Sequence, residues 1–218
     1  YYGGTIDGIF TDEPTMHTFM DDSVPYTGAL PSEFNWRHNY ELYKALPAVF
    51  ADAGKDGVQI RCDYYDTVNY LYQQAFFKQI QEYCSSHRLN FIGHVLYEGE
   101  MNEAPRHQGD FFRSAEYLDF GGCDQLTDMT WPIIGSGHLN NLLGPKLASS
   151  AAHIFGKPRT MCECFGVACS WPIDLRKLKS LADWLVVLGV NMIQPHAFYY
   201  SLQGHRKWEC PPGQFYQS

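Results

Sequence analysis

The chain has 218 residues, enough for one sizeable core, and its 24 acidic against 16 basic side chains give a formal net charge of −8. That balance argues against a phosphate-binding surface, which needs clustered Lys and Arg, so no nucleic-acid partner is expected. No apolar run approaches the ~20 residues of a membrane span, so no membrane partner is expected either. The sequence starts at Tyr1 and ends at Ser218 with no obvious terminal element. It therefore reads as a segment of a longer protein, truncated at both ends, with the remaining domains of that protein as partners.

Seven cysteines are scattered at positions 62, 84, 123, 162, 164, 169 and 210, with no C-x-x-C pair and no zinc-site spacing. Reduced thiols are the expectation, which favours the cytoplasm slightly and leaves a periplasmic or secreted setting open. Aromatic residues make up 16% of the chain, and many stand beside Gly, Pro or His. That placement suits a concave site that stacks ligands, although an aromatic-rich core is the more frequent explanation.

In chain order, residues 5–13 read as a strand that ends in Asp12-Glu13-Pro14, where proline forces a loop. A long loop to about Trp36 follows. A helix from Asn39 to Ala53 is jointed at Pro47 and ended by Gly54. The next helix is capped by Asp66 and carries one apolar face through Val68, Leu71, Ala75, Phe76, Ile80 and Tyr83 to Cys84. Phe91 to Tyr97 reads as a strand ending at Glu98-Gly99-Glu100, with a modest helix around Phe111 to Leu118 after it. Gly122 to Thr127 is a short strand. Pro145 opens a helix with Leu147, Ala151 and Ile154 inward and Gly156 stopping it. Pro158 to Cys164 is a strand containing Glu163, Asp174 caps a helix that ends at Gly189, and Val190 to Ala197 delivers His196, Phe198, Tyr199 and Tyr200. Five strands alternating with helices mean parallel β/α units, whose functional edge lies at the strand C-termini.

Three carboxylates stand just past strand ends: Glu13, Glu98 and Glu163. Glycosidic cleavage needs two, one to protonate the leaving oxygen and one to attack or to activate water. A single strand-end glutamate is more often a solvated rim residue. Glu13 and Glu163, however, both sit in short apolar-flanked strands, where an unpaired carboxylate is costly. Glu100 and Glu103 are alternatives to Glu98 in the same loop. Asp12 should point away from Glu13 on a regular strand, and it is expected to orient Glu13 or bind sugar hydroxyls. His94, His138 and His196 lack the spacing of a metal site and are better read as hydroxyl partners or packing residues. Trp131, Tyr199 and Tyr200 are candidate stacking platforms, with Trp36, Trp171 and Tyr97 behind them. Ser136 lacks the G-x-S-x-G frame of a hydrolase nucleophile.

The segments GIFTDEP, GDFFRS at 109–114, GPKLASSAAHIFGKPRTMCECFG at 144–166 and LADWLVVLGVNMIQPHAFYYS at 181–201 resemble large bacterial glycoside hydrolases. They are most similar to family 106, the α-L-rhamnosidase-like group. The resemblance implies a (β/α)8 TIM barrel, with these strands as the fourth to eighth. It implies Glu13 as the strand-four general acid, Glu163 as the strand-seven carboxylate and Glu98 as the acid after strand five. Asp12 stands where the wider superfamily often has Asn. Inversion and a Ca2+ ion are implied as well, without ligands assigned to positions. The expected protein is therefore part of a TIM-barrel glycosidase acting on an oligosaccharide or glycoside of plant or gut origin. Asp12, His94, Trp131, His196, Tyr199 and Tyr200 would bind its substrate. A non-catalytic carbohydrate-binding barrel and a metal-dependent barrel hydrolase are the alternatives.

Overall fold

The computed structural model describes residues 1–16, 23–126, 140–166, 175–196 and 203–204. Five strands, β1 (Gly8–Thr11), β2 (Asn90–Gly93), β3 (Phe120–Gln125), β4 (Met161–Cys164) and β5 (Met192–Pro195), form one all-parallel sheet in the order β1-β2-β3-β4-β5. The sheet curls into a half-barrel with helices in the connections. Neighbouring strands are consecutive in sequence, so every connection is a β/α crossover, as the strand-helix alternation predicts. No described helix is long and apolar enough to cross a membrane.

Four of the strands are shorter than the sequence suggests, β3 has the expected length but starts two residues earlier, and the region between β1 and residue 72 is organised differently. Helix α1 (Leu30–His38) lies inside the stretch expected to be loop. The expected helix over 39–53 is two single turns, α2 (Leu42–Ala45) and α3 (Pro47–Phe50). Gly54 opens helix α4 (Gly54–Tyr72) and does not close the one before. Asp66 consequently stands in mid-helix, where its carboxylate accepts from Arg37 at 2.7 Å and Arg113 at 2.9 Å. Those two guanidiniums hold its carboxyl below the ordinary range although its burial works the other way. The side chain that looked like a cap is a clamp between α1 and the short helix Phe111–Ala115 that carries Arg113.

Helix α4 continues through a π-helical segment, Gln73–Lys78, into α5 (Gln79–Ser86). On a regular helix Val68 and Phe77 would lie about 180° apart. The wide turn takes an extra residue and rotates the following face. Val68 thus packs with Leu30, Phe34, Leu42 and Tyr64, whereas Phe77 and Cys84 pack with Leu89, Phe91, Val95 and Leu118 under β2. Tyr83, expected on the inner face, is 46% exposed.

Helices α6 (Ala104–His107) and α7 (Phe111–Ala115) are short, and Asp110 caps the latter by accepting from the Phe112 N–H. Helix α8 (Asn140–Ile154) carries Pro145 inside it, not at its start, and turns Ala148, Ser149, Ala152 and the expected Ala151 inward while Ile154 is exposed. Gly156, at φ 64°, ends it as expected, with the Lys157 N–H reaching back to the Ala152 carbonyl. Helix α9 (Leu175–Val187) buries Leu178, Leu181 and Leu185 against Cys123, Cys162, Cys164 and Val190. Cys123, Cys162 and Cys164 therefore face the helices, and strand alternation turns Asp124 and Glu163 to the concave side. The Cys123 and Cys162 sulfurs are 3.7 Å apart as free thiols.

Candidate active site

The site begins where β1 meets β2. Thr11 is in register with Gly93, and a Cβ on Gly93 would sit 2.1 Å from the Thr11 carbonyl oxygen. Gly93 also has φ 145°, so only glycine lets the two backbones close here. The next residue on each strand then enters the same space: the Asp12 Oδ1 lies 3.4 Å from the His94 Nε2.

Alternation puts Asp12 on the face of Phe10, whose ring meets that of His94 edge-on at 5.8 Å. Glu13 would point the other way on a continued strand. It instead has φ 45°, a left-handed conformation that costs a non-glycine residue on the order of 1–3 kcal/mol. This reverses the sequence expectation for Asp12, whose carboxylate reaches His94 by alternation, while the backbone breaks only at Glu13. The loop beyond is tied down by Tyr72, which donates to the Pro14 carbonyl at 2.7 Å, and by the Met16 N–H, which donates to the His107 carbonyl at 2.9 Å.

His94 is the centre of the constellation, with a side chain that is 0% exposed. Its Nε2 is 3.1 Å from the Glu163 Oε2 and its Nδ1 is 3.2 Å from the Glu98 Oε1. Burial by itself would discharge the imidazole. The hydrogen bonds to Glu163 and Glu98, with the charges of Glu98 and Asp124, overcome that and raise its pKa to about 11. His94 is thus an imidazolium held among carboxylates.

Glu163 is shared with a second histidine, since the His196 Nε2 lies 3.5 Å from its Oε1. The His196 N–H donates to the Cys164 carbonyl at 2.8 Å, which fixes the residue just past β5. Glu98 is buried and also accepts from the Asp124 N–H at 3.3 Å. Of its competitors, Glu103 faces His107 at 3.6 Å and so belongs to the loop. Glu13 remains solvent-accessible but crowded. Partial burial raises its carboxyl, the His94 charge lowers it, and Asp12, Glu98 and Glu163 raise it further.

Asp124 is the residue that sequence reasoning missed. It pairs in register with Glu163 across β3 and β4. Burial, set against the His94 charge and reinforced by Glu98, Glu163 and Glu13, pushes its carboxyl up to about 8. The available signal was the alternation in Gly122-Cys123-Asp124, where an inward cysteine leaves the acid on the opposite face. Trp131, Tyr199 and Tyr200, with His138 and Trp171, lie outside the described residues. Trp36 is 76% exposed on α1, and the Tyr97 ring packs on that of His107 at 4.9 Å.

One group of metal-type donors occurs among the described residues: Asp12, His94 and Glu163, whose ligand atoms lie within 4.8 Å of one another. Calcium takes six to eight oxygen ligands, and this group offers two carboxylates and a ring nitrogen already hydrogen-bonded to Glu163. The described donors therefore do not fit the Ca2+ that the resemblance implies.

No protein-family model and no curated protein matches the chain. Among solved structures, a rhamnosidase from Novosphingobium sp. PP1Y superposes on 88% of this chain with a TM-score of 0.67 at 18% identity. The match spans only 17% of that much longer protein. At this identity the likeness is one of fold.

Proposed function

We propose that the chain is the strand-four-to-strand-eight part of a (β/α)8 barrel in an α-L-rhamnosidase-like glycoside hydrolase. The observation that carries this reading is the contact of Glu98 and Glu163 with one buried His94 at the C-terminal edge of a parallel sheet, with Glu13 near enough for their charges to shift its carboxyl. The likeness of fold to a rhamnosidase supports it. Glu13 serves as general acid: burial, opposed by the His94 charge and reinforced by Asp12, Glu98 and Glu163, shifts its carboxyl upward, the direction that favours proton donation to the leaving oxygen. Glu163, held at one oxygen by His94 and at the other by His196, acts as base or nucleophile. Glu98 orients His94 from the far side of the ring. The earlier strands of the barrel would pair along β1, where Ile9 and Phe10 are 37% and 43% exposed.

The test is a screen of the full-length protein against aryl glycosides, α-L-rhamnosides included, with product anomers read by NMR. Hydrolysis that Glu163→Gln abolishes is the expected result. Wild-type turnover in Glu163→Gln would overturn the assignment. The approach of Asp12, His94 and Glu163 favours a metal-dependent hydrolase as second reading. Stoichiometric metal in the purified protein, lost together with activity in His94→Gln, would select it.

A further inference from the structure

Asp124 stands on the concave face beside Glu163, on an adjacent strand and in the same register. Its Oδ1 is buried, yet it has no hydrogen-bonding partner among the described residues. Leaving a buried acceptor unmet costs about 1–3 kcal/mol, so this atom calls for a donor that the described residues do not supply. The backbone beneath it is fixed: the Asp124 N–H donates to Glu98, which is itself held by His94. A Cβ on Gly122 would sit 2.3 Å from the Met161 carbonyl oxygen, so β3 and β4 are in close contact just before the two acids. The acceptor is therefore presented by rigid strand and not by loop.

The surroundings select the donor. Asp124 lies between the charge of His94 and those of Glu98, Glu163 and Glu13, and a neutral hydroxyl meets its Oδ1 without adding charge to the cluster. In-register side chains on adjacent strands are about 4.8 Å apart. If Glu163 serves the anomeric carbon directly or through a water, its neighbour faces the next ring position.

Resting on the glycoside-hydrolase reading above, we infer that Asp124 accepts a hydrogen bond from the 2-hydroxyl of the sugar and thereby selects the sugars that enter the site. Hydrogen bonds at this hydroxyl strengthen as the transition state forms, so the contact contributes to turnover as well as to selection.

The experiment is a calorimetric titration of the full-length protein with L-rhamnose, 2-deoxy-L-rhamnose and 4-deoxy-L-rhamnose, in wild type, Asp124→Asn and Asp124→Ala. Wild type is expected to bind the 2-deoxy sugar about 10- to 100-fold more weakly than L-rhamnose, the loss of one hydrogen bond to a carboxyl group. Asp124→Ala should weaken L-rhamnose and the 4-deoxy sugar by a similar factor and leave the 2-deoxy sugar unchanged. Asp124→Asn, which keeps shape and acceptor, should stay within about fivefold of wild type, against the larger loss expected for one hydrogen bond. The inference is overturned if wild type binds the 2-deoxy sugar as well as L-rhamnose, or does not bind L-rhamnose. It is equally overturned if Asp124→Ala weakens all three sugars alike. A protein that shows the expected pattern of binding but hydrolyses no glycoside would refute the hydrolase reading and leave the role of Asp124 standing.

Discussion

The His94 Nε2 stands 3.1 Å from the Glu163 Oε2 inside a side-chain environment that is 0% exposed at the ring. That contact makes His94 a positioning residue, because a fully buried ring does not reach a ligand across the carboxylates around it. His94→Gln is expected to lower kcat on an aryl glycoside about 10²-fold or more, within the range ascribed to general acid–base groups, with a smaller change in KM. Glu163→Gln should lose more, and the double variant should be no worse than Glu163→Gln. Steady-state kinetics on the three proteins checks it.

Protonation of this cluster sets a pH dependence of stability. His94 has a folded pKa of about 11 against an ordinary 6.5, so its contribution is complete below pH 6.5 and is lost as pH rises towards 11. Asp124 rises from 3.8 to about 8, so the native state also keeps a proton that the unfolded chain has released. Both terms have the same sign, and they overlap between pH 6.5 and 8. Urea midpoints should fall most steeply there, and Asp124→Asn should flatten that segment while leaving the loss above pH 8.

Gly93→Ala is expected to disrupt the β1–β2 seam, since the added carbon meets the Thr11 carbonyl oxygen at 2.1 Å and φ is 145°. Neither backbone yields without breaking the register that delivers Asp12 and His94 to one point. The loss should be about 3 kcal/mol or more, at the top of the range for strained positions. Circular dichroism melts of the variant beside Gly28→Ala, which meets nothing within 4 Å, provide the comparison.

Asp66→Asn should be milder. The carboxylate is 33% exposed and binds two arginines, so about 1 kcal/mol is expected, and less at high salt. The pair's contribution is present above the ordinary carboxylate pKa and fades as pH falls below it, opposite in direction to the His94 effect. Melts at pH 3 and pH 7 in low and high salt separate the two.

Much of the fold was legible because apolar runs and helix stops are local signals. Gly156 and the Leu178-Leu181-Leu185 stripe mark the ends and faces of helices by their chemistry alone. The π-helical turn at Gln73–Lys78 was not legible, because its driving force is the burial of Phe77 under β2 and that strand lies elsewhere in the chain. Pro145 misled for a similar reason, since the helix packs against β3, a contact that the local preference of proline for a first turn does not report.

By itself the sequence determined which side chains are acids at strand ends, Glu13, Glu98 and Glu163, and that strands and helices alternate. Only the tertiary structure decided that these acids share one imidazolium, and that Asp124 is among them. It alone decided that Glu13 arrives through a left-handed residue while Asp12 arrives by alternation. The physical reason is that residue type and periodicity are written locally. Register between strands far apart in sequence sets which charges meet, and the meeting charges set the protonation states.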